Sequence, residues 1–199
     1  MAFIRTIPVQ EATGDVKAMY EDAKEPSGDV PNYVKAFSHR PEVWKKYGEF
    51  GLSIRSNFDL RRYELVTVAA AAAIESSYCT LAHGQILSEK VLGPEQTQVF
   101  IRDFHQADLT PAEKAMVAFA RKLAVRSSSV TQDDVDELHR HGFSDAEIFD
   151  IAAATMMRCF FSKLLEGLGA QPDHFYANLD PALRQVLTVG KPIEESPAK

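Results

Sequence analysis

Five consecutive alanines, Ala69 to Ala73, constrain this chain more than any other feature. They close a charge-free run from Leu65 to Ile74. Alanine is the strongest helix former, and its small side chain lets neighbouring elements approach closely. The run therefore predicts a largely apolar helix, opened by Asp59 as N-cap, while the central buried element is expected to be the long helix at about 145–168. Ser76 and Ser77 interrupt it and read as the N-cap of a second helix, with Tyr78 and Cys79 in the first turn. Cys79 and His83 are four apart and fall on one face of that helix. A helix N-terminus and a neighbouring imidazole both favour a thiolate, the reactive form of cysteine. Glu64, a carboxylate in the apolar helix, needs a partner if buried, and a Glu–His–Cys relay would satisfy it and orient the imidazole. The competing reading is a small buried thiol with a coincidental histidine.

Helical spacing continues along the chain. An extended lead-in over 1–9 precedes a helix at about 11–24, then a turn cluster over 25–29. A short helix follows from Pro31, and another at about 41–56 bears Val43, Trp44, Tyr47, Phe50 and Leu52. That aromatic stripe reads first as core or subunit packing, and second as the lining of a pocket for an apolar substrate. The helix of Cys79 is expected to run to about 91, stopped by Gly93-Pro94, with a shorter one at 94–104. Thr110 with Glu113 and Ser144 with Glu147 are capping boxes opening helices to about 125 and 168, and Thr131 caps one to His141. A last short helix begins at Pro181. With no strand-like alternation, the expectation is all-α: one domain over 1–189 and a disordered tail over 190–199.

Charge and cysteine content narrow the partners. The 199 residues carry 28 acidic against 22 basic side chains, a net charge of −6. That balance argues against nucleic acid or an anionic membrane as partner. No run reaches the ~18 apolar residues of a membrane span, and the N-terminus lacks a secretory pattern. Two cysteines in a chain of this length are no disulfide scaffold, so a reducing cytoplasm is expected. Cys159, beside Phe160 and Phe161, reads as a buried structural thiol; the sharper reading makes it a partner for Cys79. Arg158, in an apolar stretch, is expected either to pair with Glu64 or Glu75 or to face solvent. The acidic run Asp133, Asp134, Asp136, Glu137 reads as a solvated helix start rather than a cation site. His139 and His141, two apart, do not share a face and are not expected to bind metal. No metal and no cofactor is expected.

The spacing of Glu64, Ser76, Cys79 and His83 resembles the redox motif of the alkylhydroperoxidase D and carboxymuconolactone decarboxylase family. There a Glu is followed twelve residues on by Cys-x-x-Cys-x-x-x-His. Arg158-Cys159-Phe160-Phe161 and Leu168-Gly169-Ala170-Gln171-Pro172 resemble its peroxidase-related branch. The resemblance covers most of residues 10–175 and departs at Ser76, which stands where the family has its first cysteine, so a two-thiol cycle at this motif is excluded. It implies an all-α fold, a homo-oligomer (dimer, trimer or hexamer) and a thiol-dependent peroxidase. Cys79 would be the nucleophile, His83 its base and Glu64 the orienter of His83, with Ser76 and Tyr78 hydrogen-bonding thiolate or peroxide. A small peroxide would be the substrate and an external thiol the reductant. The alternatives are a lyase using His83 as acid–base on a small apolar acid, and a silent ligand-binding oligomer.

Overall fold

The computed structural model describes residues 2–25 and 28–195. Ten α-helices follow in order: α1 (Gly14–Asp22), α2 (Asn32–Lys35), α3 (Pro41–Arg55), α4 (Leu60–Ala73), α5 (Ser77–Leu87), α6 (Pro94–Arg102), α7 (Pro111–Arg126), α8 (Gln132–Arg140), α9 (Asp145–Leu168) and α10 (Pro181–Leu187). Among the described residues there is no strand, and the fold is all-α. The helix starts follow the capping chemistry. The Asp59 carboxylate accepts from the Arg62 N–H, and Thr110–Glu113, Thr131–Asp134 and Ser144–Glu147 form reciprocal capping boxes. α5 continues through one turn of π-helix (Ser88–Leu92) before Gly93 stops it at φ +81°. Gly169 ends α9 in the left-handed conformation at φ +75°.

α4 is the hub, with every residue from Tyr63 to Ala71 buried. It packs against α5, α7 and α9, and the alanines make room for all three. The core divides into two apolar clusters. One joins α4, α7, α8 and α9 around Leu65, Met116, Leu138 and Ile151; the other joins α1, α2, α5, α9 and α10 around Tyr20, Leu81, Leu165 and Leu187. They meet where α4, α5 and α9 converge, and Met157 and Phe161, either side of Arg158, belong one to each. No helix of the described residues is long and apolar enough to cross a membrane.

The expected tail from residue 190 is corrected in part. The Gly190 N–H donates to Ser77 Oγ at 2.7 Å, Lys191 pairs with Glu166 at 2.8 Å, and the Glu194 N–H donates to Pro172 O at 2.8 Å. A segment rich in charge and proline is thus held by contacts that composition does not encode. Residues 196–199 lie outside the described residues, as do Pro26 and Ser27 of the expected turn.

α10 docks on α5 at Gly84. A Cβ there would overlap the fully buried Leu187 side chain. Gly84→Ala should cost about 1–3 kcal/mol by overpacking, lowering the melting temperature by roughly 2–4 °C per kcal/mol. Thermal unfolding followed by circular dichroism reads this, and an unchanged midpoint would mean that α10 is not seated there.

Candidate active site

Four side chains from three helices meet where the two clusters touch. Glu64 on α4 is 1% exposed. Its Oε2 lies 2.7 Å from His83 Nδ1 on α5. On the far side of the ring, His83 Nε2 lies 2.7 Å from Arg158 Nη2 on α9. Arg158 Nη1 is 3.5 Å from Cys79 Sγ, one turn before His83. The chain Glu64–His83–Arg158–Cys79 is continuous.

The partners settle the imidazole tautomer. A guanidinium only donates, so Nε2 accepts from Arg158, and Nδ1 carries the hydrogen and donates to the Glu64 carboxylate. Burial, followed by the Arg158 charge, holds the His83 pKa below its ordinary value, and the Glu64 contact only partly opposes this. The ring is therefore neutral at neutral pH. Burial works against the Arg158 charge, but the neighbouring Cys79 sulfur opposes it, and the guanidinium pKa is raised overall. Arg158 is 5% exposed, and its Nε has no hydrogen-bond partner. Tyr63 sits edge-on to His83 and under Arg55. Burial pushes Tyr47 up to about 12, and the Arg158 charge opposes that rise.

Three of the five residues read from the sequence are brought together: Glu64, Cys79 and His83. The expected direct Cys79–His83 contact is replaced by Arg158, which stands between them. Ser76 is fully buried, but its Oγ has no partner and forms no cap. It does not hydrogen-bond Cys79. Nor does Tyr78, whose hydroxyl donates to Asp173 Oδ2 and accepts from the Tyr33 N–H at 3.0 Å. Asp173 also accepts from the Asn32 N–H at 2.9 Å. Tyr78 thus ties α5 to α2 and to the segment after α9 instead of serving the thiol.

Arg158 pairs with neither Glu64 nor Glu75. It had a sequence signal, being the only charge between Asp150 and Lys163, but a thiol–imidazole partner could not be read from that. Cys159 packs among Ala70, Ala73, Ile74 and Ala124, and burial pushes its thiol pKa up. Both cysteines are free. Among the described residues no three His, Cys, Asp or Glu side chains cluster as metal ligands. The acidic run is spent on α8 itself and its neighbours, with Asp134 bound to Lys122 and Glu137 to Arg140.

No family model matches the sequence, and no curated protein matches it. Solved structures do. An uncharacterized peroxidase-related protein from Ralstonia eutropha JMP134, described as an alkylhydroperoxidase AhpD core, superposes with a TM-score of 0.75 at 24% identity, covering 96% of this chain and 98% of that one. An uncharacterized peroxidase-related protein from Silicibacter sp. TM1040 gives 0.75 at 23%, covering 86% and 92%. A cysteine-to-alanine variant of the debrominase Bmp8, in complex with 2,3,4-tribromopyrrole, gives 0.72 at 16%, covering 94% and 98%. At these identities the likeness establishes the fold: the chain has the alkylhydroperoxidase D-like all-α fold.

Two outcomes test this geometry. His83 should titrate below the ordinary ~6.5, and Arg158→Met should move it upward; histidine proton NMR across pH reads both. The unfolded chain takes up that proton first, so His83 makes stability fall as pH drops below about 6.5. Tyr78→Phe removes the hydroxyl from buried Asp173 and should cost about 1–3 kcal/mol in denaturant unfolding while leaving the alkylation rate of Cys79 intact. Slowed alkylation with unchanged stability would return Tyr78 to the reactive site.

Proposed function

We propose that the protein is a single-thiol peroxidase in which Cys79 is the nucleophile. The observation that carries the reading is the buried Arg158 guanidinium, bonded at once to the Cys79 sulfur and to His83. A buried cation needs a counter-charge, and a Cys79 thiolate is placed to be one. Glu64 and neutral His83 hold the guanidinium from the other side. His83 therefore positions Arg158 rather than taking the thiol proton itself.

The chemistry balances with one cysteine. The thiolate attacks the outer oxygen of a peroxide, ROOH. The S–O bond forms, the O–O bond breaks, and the leaving oxygen takes a proton from solvent. Cys79 becomes sulfenic acid, oxidised by two electrons, and the peroxide is reduced to ROH. An external thiol condenses with the sulfenic acid and releases water. A second thiol then frees Cys79 and departs in the external disulfide. Arg158 can donate to the charge developing on the leaving oxygen. Ser76 leaves no neighbouring thiol at the motif, so the reductant is external.

An acid–base lyase is less well supported. His83 would have to present Nε2 to a substrate, and that nitrogen is occupied by Arg158.

Cys79→Ser should abolish thiol-dependent peroxide consumption, and Arg158→Met should slow iodoacetamide alkylation of Cys79 at pH 7, because a thiolate there would lose its counter-charge. Mass spectrometry of the Cys79 peptide distinguishes it from Cys159. Peroxide turnover surviving in Cys79→Ser would end this reading.

A further inference from the structure

A groove of about 450 Å³ runs between α7 and α8. It falls within the ~300–1,000 Å³ typical of small-molecule sites. Met116, Val117 and Ala120 are buried on the face that α7 turns to the core. Lys114, Ala118 and Lys122 follow one another at four-residue steps along its other face and line the groove. None of Glu64, Cys79, His83 and Arg158 lines it, so its use is separate from the thiol chemistry.

The apolar part of the lining is small and aromatic. Ala115 and Ala118 contribute a methyl each, which leaves the space open, and Phe119 adds a ring. The charged part does not cancel. Lys122 donates to both oxygens of Asp134, at 2.8 and 2.6 Å, and Asp134 Oδ2 also accepts from the Thr131 N–H at 2.7 Å. Glu137 accepts from Arg140 through one oxygen and from His141 through the other. Lys122 and Arg140 hold these two carboxyls below the usual carboxylate range, so both are ionised and each is matched by a cation. The groove's own acceptors are thereby engaged. Its donors are not. An ammonium has three N–H groups. Lys114, partly buried, uses one on the His105 carbonyl at 2.7 Å, and among the described residues it pairs with no carboxylate.

An unmatched cation beside apolar walls, in a protein of net charge −6, complements a ligand with one negative charge and an apolar body. A doubly charged phosphate monoester would also meet the ionised Asp134 and Glu137 and be repelled. A carboxylate carries the single charge that Lys114 can match, and the Phe119 ring favours an aromatic body.

We propose that the α7–α8 groove is a binding site for a small aromatic carboxylate, whose ring lies against Ala115, Ala118 and Phe119 and whose carboxylate accepts from Lys114. The site is independent of Cys79, and its test needs no turnover.

Benzoate and its uncharged analogue benzamide are the probes, with sodium chloride balancing the ionic strength. Benzoate at millimolar concentration should shift the ring-proton resonances of His105 and His141 saturably. Benzamide should bind at least about tenfold more weakly, the scale of one charge-assisted hydrogen bond. Lys114→Gln should weaken benzoate binding by the same factor without changing the response to benzamide, and Lys114→Arg, which keeps the charge, should restore it. Ala118→Leu, at an exposed position, should fill the groove and abolish the shifts with the thermal midpoint unchanged. No saturable shift with benzoate, or equal affinity for the two probes, would overturn the assignment. So would benzoate binding that survives intact in Lys114→Gln or in Ala118→Leu.

Discussion

A guanidinium taken out of water is the constraint on which the rest of this structure depends. Burying an unpaired ion costs several kcal/mol, and Arg158 avoids that only through partners on another helix. Those partners, Cys79 and His83, lie one turn apart on α5, and His83 is in turn fixed by Glu64 on α4. The relative register of α4, α5 and α9 is therefore tied to one hydrogen-bonded chain. A slip of any one helix by a single residue would leave a buried charge or a buried donor without its partner.

This chain can close only because the helices come close enough. The alanines of α4 carry no bulk, so α5, α7 and α9 settle against it together. Meeting at the junction of two apolar clusters gives the polar chain dry walls and lengthens the reach of each charge. A second polar anchor, Tyr78–Asp173 with the Asn32 and Tyr33 amides, holds the start of α5 to α2 and to the segment after α9. Two consecutive residues thus point in different directions, Tyr78 toward Asp173 and Cys79 toward Arg158. At 100° per residue a helix permits this.

Sequence and structure agree where the determinants are local. Asp59, Thr110, Thr131 and Ser144 start helices because each side chain reaches an amide within three residues, which no tertiary context needs to arrange. Gly93 and Gly169 stop them because the backbone there turns left-handed. The Glu64, Cys79 and His83 positions were legible for the same reason, since helical spacing and the need to satisfy a buried carboxylate are short-range rules.

What the sequence alone determined is thus the all-α fold, the helix starts and the placing of Glu64, Cys79 and His83 on the α4–α5 hairpin as candidates. Tertiary structure decided what depends on distant chain segments meeting. It placed Arg158, seventy-nine residues beyond Cys79, between thiol and imidazole. It gave Tyr78 to Asp173, ninety-five residues away, and tied residues 190–194 to the body of the protein. The physical reason is the same in each case: a buried polar group requires a partner, and the requirement can be read from one residue, but which partner meets it is fixed only when the whole core packs.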